Sequence, residues 1–286
     1  MRIGAHVPTR GRGLLGAIEA ARACGAEAVQ VWASNPRGWA PPRVSREAAR
    51  EFARRWQEAR IGPLFFHAPY MVNVASPSAD FRRRSVELAR ATLELAEAVG
   101  AEGVVVHAGA AGARTERRRA LELAAASLLA VAEAARRTRL LVELTAGGAG
   151  TVAATLPEAR DLLEAACSDP RLGLCLDTCH LFAAGYPLDD PEGVARTFDE
   201  LRSLRLARRV RLVHANDSKF PRGRRLDRHT HIGEGHIGEA GFRAILADPT
   251  VRRCPLVVET PGRLEDHARN IATLRRLAGL PGDRPG

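Results

Sequence analysis

Nine side chains of two kinds, imidazole and carboxylate, recur along the chain at places where chemistry is feasible: His67, His107, Glu143, Asp177, His180, His214, Asp227, His229 and Glu259. Six of them close short apolar runs: LFFH at 64–67, GVVVH at 103–107, LLVE at 140–143, LGLCLD at 172–177, VRLVH at 210–214 and PLVVE at 255–259. Any one of these, taken alone, is more often a satisfied structural residue than a ligand. Gathered in one place they would repel one another and stay unsatisfied unless cations compensated them. A mixture of imidazole and carboxylate, with no suitable cysteine set, suits catalytic Zn2+, and Mn2+ or Fe2+ are also compatible. The set exceeds what one tetrahedral ion can use, so two or three ions are expected. Two ions about 3.5–4 Å apart would clamp a phosphoryl group. Asp227 and His229, two residues apart, would point to the same side of an extended segment and chelate one ion.

The elements that must position these groups follow from an alternation of short apolar runs and helical stretches. Strands are expected at 2–7, 28–33, 64–69, 103–109, 140–145, 172–178, 210–216 and 255–261, with helices including Arg46–Arg60, Phe81–Val99, Glu116–Arg137, Pro157–Ala166 and Leu264–Ala278. Such alternation implies a parallel sheet, because a parallel connection needs a long crossover, usually helical. Eight repeats favour a closed (β/α)8 TIM barrel of the α/β class, which needs about 250 residues and gathers its strand ends on one catalytic face. No glycine fingerprint follows the first strand, which weakens a dinucleotide-binding reading. Residues 1–279 are therefore expected to form one barrel domain, and 280–286 a loose tail. The polar segment Lys219–Gly238, between the seventh strand and its helix, has the character of a functional βα loop.

Charge is weaker guidance. The formal net charge is +10, and Lys219 is the sole lysine, so the positive charge is almost entirely arginine. The chain is also rich in alanine, glycine and proline, and a compositional bias explains that much by itself. A polyanionic partner such as DNA is the functional reading, which charge supports but cannot start. The cysteines, Cys24, Cys167, Cys175, Cys179 and Cys254, are too scattered for a disulfide framework. Cys24, Cys175 and Cys254 are expected in the core, and Cys179 is given no role. No signal-peptide pattern and no apolar run near the roughly 18–20 residues of a membrane span are present, so a cytoplasmic location without membrane association is expected. Among the other histidines, His6 closes the first strand beside the site or in a core hydrogen bond, His231 and His236 are expected in a loop, and His267 on the surface.

These residues resemble the endonuclease IV family of apurinic/apyrimidinic endonucleases, which are bacterial-type trinuclear zinc enzymes of base-excision repair. The resemblance runs from GAHV at 4–7 to VVETPG at 257–262. It is most specific in LCLDTCHLFAAGYPL at 174–188, VHANDSK at 213–219 and LDRHTHIGEGHIG at 226–238. It implies that His67, His107 and Glu143 hold a first zinc, and that Glu143 bridges to a second completed by Asp177, His214 and Glu259. His180, Asp227 and His229 would hold a third. Glu143 and Glu259 would be catalytic, with Glu259 also orienting the nucleophile. The implied reaction is hydrolysis of the DNA phosphodiester 5′ to an abasic site, leaving a 3′-hydroxyl and a 5′-deoxyribose phosphate, together with trimming of blocked 3′ ends. The implied partner is damaged duplex DNA, bound by a monomer and so nucleoid-associated. Asn35 and Arg37 in SNPRGW would lie near the nucleic acid, and Tyr70 and Met71 in HAPYMVN would wedge into the base stack. Lys219 and the arginines at 222–225 would contact phosphate or form a solvated basic loop.

The chain departs from the family in two places. HAGAAG at 107–112 stands where HPG is usual, and Leu144 stands where an Asn is usual. Neither removes a ligand, but the second could alter support for Glu143. Two other readings are carried forward. One is a xylose-isomerase-like sugar isomerase or epimerase, which shares barrel and strand-end ligands; the other is a non-catalytic DNA-binding barrel whose cluster is structural.

Overall fold

The computed structural model describes residues 1–9 and 13–280. Eight strands close a parallel barrel: β1 (Ile3–His6), β2 (Val29–Trp32), β3 (Leu64–His67), β4 (Gly103–His107), β5 (Arg139–Glu143), β6 (Leu172–Asp177), β7 (Val210–His214) and β8 (Leu256–Val258). Each strand pairs with its sequence neighbour, and β8 returns to β1. The strands read as near-continuous apolar runs because helices cover one face and barrel-interior side chains the other. The sequence expectation of an eight-stranded barrel is met, with strand limits moved by at most three residues. The expected tail at 280–286 lies, apart from Leu280, outside the described residues.

The period of two along a strand sorts these residues into layers. Val104, Val106, Val142, Leu174 and Val213 face the helices in the main core. Ala28, Phe65, Val105, Leu141, Cys175, Leu212 and Val257 form a separate buried cluster inside the barrel. Gly4 takes the remaining place, and a Cβ there would fall 1.7 Å from the Ala28 carbonyl oxygen, so only glycine fits. Two residues further along each strand stand His6, Gln30, His67, His107, Glu143, Asp177, His214 and Glu259. The apolar layer thus forms a plug, and the polar layer sits directly above it at the C-terminal mouth.

Helices follow the strands at Leu15–Ala23, Arg46–Ala59, Ala79–Val99, Arg117–Ala132, Leu156–Ala165, Pro191–Ser203, Gly238–Ala247 and Leu264–Leu277. Their starts carry local signals. Ser45 accepts a hydrogen bond from Ala48 N, and Thr155 and Glu158 form a reciprocal capping box. The helix expected to run to Arg137 stops at Ala132. There Glu97 accepts hydrogen bonds from the Arg137 and Thr138 amides (3.2 and 2.8 Å), which draws the chain out of the helix and into β5. His267, expected on the surface, is buried, because its helix packs against the barrel at β1 and β8.

A candidate metal centre at the barrel mouth

All nine expected donors reach one mouth. His67, His107 and Glu143 form one set, Glu143, Asp177, His214 and Glu259 a second, and His180, Asp227 and His229 a third; the donor atoms of each set lie within 4.8 Å of one another. The two oxygens of Glu143 divide between the sets. Its Oε2 lies 3.1 Å from His67 Nε2 and 3.0 Å from His107 Nε2, while its Oε1 lies 3.0 Å from His214 Nδ1 and 3.3 Å from His180 Nδ1. Glu143, Asp177 and His214 are at most 1 % exposed.

Strands β3 to β8 each supply one donor at or just past their ends, and the helix after β6 and the loop after β7 supply the rest. Asp177 ends β6 and caps the short helix Thr178–Ala184, accepting from His180 N at 2.8 Å, which turns His180 into the site. Asp227 and His229 come from the long loop after β7, where His229–Thr230 pairs antiparallel with Asp217–Ser218. Asp227 Oδ1 lies 3.2 Å from His229 Nε2, so the two side chains reach the same side, as their spacing predicts. Buried Asp217 fixes the loop's return by accepting from the amides of Ser218, Gly233, Gly235, Ile237 and Gly238 at 2.8–3.2 Å.

The imidazole hydrogen bonds test whether cations fit. His67 Nδ1 donates to the Ala68 carbonyl (2.7 Å), His180 Nδ1 to the Leu144 carbonyl (3.0 Å) and His229 Nδ1 to the Glu259 carbonyl (3.3 Å). A carbonyl can only accept, so each of these nitrogens carries a proton, and with a cation at the site the neutral ring would present a bare Nε2. The Nε2 atoms face carboxylates. His180 Nε2 and His229 Nε2 are buried without a hydrogen-bond partner, yet lie 3.3 and 3.2 Å from Asp227 Oδ1. Lone pairs converging on a carboxylate oxygen repel unless a cation lies between them, and Nδ1 anchored to a carbonyl is the usual support of a ligating histidine. The donor set fits divalent metal.

The electrostatics agree. Burial alone would raise Glu143, but His214 and His107 hold it well below the usual carboxylate range. Burial opposes charge on His180 as well, yet Asp177, Asp227 and Glu143 push it well above the ordinary imidazole value; His229 rises to about 9 against the same opposition, through Asp177 and Asp227. The site demands positive charge among its carboxylates. Cys179 Sγ also lies in reach of Asp177 and His229, but burial pushes that thiol up to about 12.

Sequence reasoning missed the residues that hold these donors. Gln30 is fully buried on β2; it accepts from His214 Nε2 (2.9 Å) and donates to Glu259 Oε1 (2.7 Å). An amide inside an otherwise apolar strand was the available signal. His6, which the sequence did place beside the site or in a core hydrogen bond, joins this group, 3.0 Å from Glu259 Oε1. Asn216 donates to Asp177 Oδ2 (2.7 Å) and accepts from Glu259 N (2.8 Å), while Thr178 Oγ1 donates to the Asn216 carbonyl (2.7 Å). Leu144, the departure that raised doubt about Glu143, is fully buried, and its carbonyl anchors His180, a contact any residue there could make. The HAGAAG turn is held by Asn73, which donates to the Ala110 carbonyl (2.8 Å); Gly109 has φ +83°, and a Cβ there would fall 2.1 Å from Asn73 Oδ1.

The residues expected to meet DNA are placed around the rim. Asn35 and Arg37 are exposed in the loop after β2, with Arg37 N donating to Asn35 Oδ1 (3.0 Å). Tyr70 is 59 % exposed, its ring edge-on to Trp32 at 4.8 Å and its amide bonded to the Pro36 carbonyl at 2.9 Å, which ties the two loops together. Met71 is half-buried beside it, and Lys219 is exposed on the opposite loop. Among the described residues, the exposed large apolar side chains are Tyr70 and Leu226, both on loops of this mouth. Leu226 had drawn no attention in the sequence.

The fold and site together define a class. Residues 18–277 match the family of xylose isomerase-like TIM barrels. The chain is similar to the "Probable endonuclease 4" of Streptomyces coelicolor, 41 % identical over 278 residues that span 96 % of this chain and 94 % of the relative. It also superposes on the crystal structure of endonuclease IV from Thermus thermophilus with TM-score 0.84 and 34 % identity, covering 98 % and 99 % of the two chains. A D-tagatose 3-epimerase-like protein aligns with TM-score 0.75 at 20 % identity over 98 % and 97 %, a likeness of fold alone. Within the barrel class, the chain belongs to the endonuclease IV family.

Proposed function

We propose that this protein hydrolyses the DNA phosphodiester 5′ to an abasic site, leaving a 3′-hydroxyl and a 5′-deoxyribose phosphate, and that it trims blocked 3′ ends in base-excision repair. The observation that supports this most is the shared Glu143 carboxylate, one oxygen facing His67 and His107 and the other facing His214 and His180. A carboxylate so divided suits a bridge between two ions. On this reading His67, His107 and Glu143 hold one zinc, Glu143, Asp177, His214 and Glu259 a second, and His180, Asp227 and His229 a third. Mn2+ or Fe2+ could replace zinc in part. Bound there, the metals would supply Lewis-acid stabilisation of the phosphate and a nucleophile at neutral pH.

The chain's own residues do the rest. Glu259 is held ionised by His214 and His6 against the effect of burial, so it can accept a hydrogen bond from an attacking water and orient it. Gln30 and Asn216 fix its side chain and its amide. Tyr70 and Met71 fill the gap left by an extruded abasic nucleotide. Partial desolvation at the mouth and the carboxylates Glu259, Asp227 and Glu143 push the Tyr70 hydroxyl up to about 12, so it remains a neutral wedge. Asn35, Arg37 and Lys219 meet the backbone phosphates. Every donor comes from one chain, which makes a monomer sufficient, and a cytoplasmic site of action fits a DNA substrate.

The test is the chemistry of the ends. A duplex with one internal abasic analogue should yield a single cut on its 5′ side, with a 3′ end that a polymerase extends directly. A cut on the 3′ side, or no cut alongside epimerisation of a ketose, would replace this reading with the sugar one. Duplex binding by the metal-loaded protein without any cutting would favour the non-catalytic barrel.

A further inference from the structure

The other end of the barrel is built differently. One step below the apolar plug the inward positions include Arg2, Gly103, Arg139 and Gly173, two residues before Gly4, Val105, Leu141 and Cys175. Cβ atoms built on Gly103 and Gly173 would fall 3.0 and 2.8 Å from the Leu141 methyl groups, so both glycines face the interior. Barrels ordinarily fill such a layer with bulky branched side chains. Here it is left open as a concave pocket of about 940 Å3, floored by Phe65. Six arginines line it, Arg2, Arg139, Arg208, Arg211, Arg252 and Arg253, against the single carboxylate of Glu102.

An arginine-rich composition does not account for this. On the outer helices several guanidinium groups find carboxylates, among them Arg54 with Glu51 (2.9 Å), Arg83 with Glu87 (2.8 Å) and Arg118 with Glu122 (3.1 Å), and those that do not are spread along the surface rather than gathered in one concavity. At the barrel base Arg139 and Arg253 donate only to the carbonyls of Pro170 and Ala207, which leaves their charge uncompensated. The guanidinium groups of Arg2, Arg208, Arg211 and Arg252 have no hydrogen bond or ion pair among the described residues. Like charges held together in a concavity focus a positive potential and call for a multivalent anion. Guanidinium forks match phosphate oxygens in geometry, and the volume is that of a small-molecule site rather than a groove for a duplex.

We propose that this basal pocket binds a small anion carrying several linked phosphates, of the triphosphate class, at the end of the barrel opposite the metal centre. A nucleoside triphosphate and inorganic tripolyphosphate share that chemistry. The test is calorimetric titration of the metal-loaded full chain with tripolyphosphate, ATP and inorganic phosphate, repeated with the triple variant R208S/R211S/R252S and with Glu102→Gln. Tripolyphosphate should bind at least tenfold more tightly than phosphate and weaken as salt rises. The triple variant should lose at least tenfold, Glu102→Gln should bind more tightly, and incision should be unchanged in both. ATP binding more tightly than tripolyphosphate would assign the pocket to a nucleotide, and equal affinities to the phosphate chain alone; either supports the proposal. Absence of binding at low salt would overturn it. So would equal affinity in the triple variant and the parent, which would move the anion to the metal mouth. Glu102→Gln reads the same pocket with the opposite sign, so the test survives a poorly folded triple variant.

Discussion

The two mouths of this barrel are built from the same strands and separated by one apolar layer, yet they treat charge in opposite ways. At the C-terminal mouth five imidazoles and four carboxylates are gathered, most of them buried or half-buried, with imidazole nitrogens 3.0–3.5 Å from carboxylate oxygens. At the N-terminal mouth arginines gather with one carboxylate among them. The first arrangement retains cations, while the second attracts anions. Layer position rather than composition separates the two, because a shift of two residues along a strand exchanges plug for site.

The comparison can be broken by substitutions ranked from largest to smallest effect. Glu143→Gln removes the carboxylate shared between donor sets and should cost incision on the order of 10^3-fold, with a loss of bound metal measured by elemental analysis. His107→Ala should lower metal content and activity together, and unchanged metal stoichiometry would remove it from the ligand set. Glu259→Gln should keep duplex affinity and lose incision by on the order of 10^2-fold or more; normal turnover would refute its role. Asn216→Ala frees Asp177 and the Glu259 amide at once, and should cost about 10–100-fold in activity while the circular dichroism spectrum stays that of the folded barrel. Tyr70→Ala should raise KM less than about tenfold with kcat and thermal stability kept, since that ring is mostly exposed. All of these should leave basal tripolyphosphate binding intact. Arg118→Ala, on an outer helix, should change nothing measurable at either mouth.

What the sequence made legible follows the same logic. Six donors close apolar strands, so residue type and position together announced them, and Asp227 with His229 followed from a spacing of two. Gln30 shares that layer, but an amide carries no charge whose burial demands explanation. Asn216 and Thr178 act through contacts to residues about 40 positions away in the chain, which no local pattern encodes. The helix Thr178–Ala184 is buried from Thr178 to Ala183 and presents no polar face, so helical periodicity could not reveal it. His267 was misplaced because its helix turns that residue inward against the barrel. The basal pocket was hidden by the plainness of its parts: in a chain so rich in arginine, no single one stands out until closure of the barrel brings six together.

The most direct test of the central claim is incision of an end-labelled duplex carrying one abasic analogue, by protein as purified, after metal stripping, and after Zn2+ or Mn2+ is restored, with bound metal counted at each stage. The structure leads us to expect about three ions per chain, cutting 5′ to the lesion, loss of cutting on stripping and recovery on reloading. Cutting that persists in folded protein stripped of metal, or its absence from folded protein fully loaded with metal, would contradict the account.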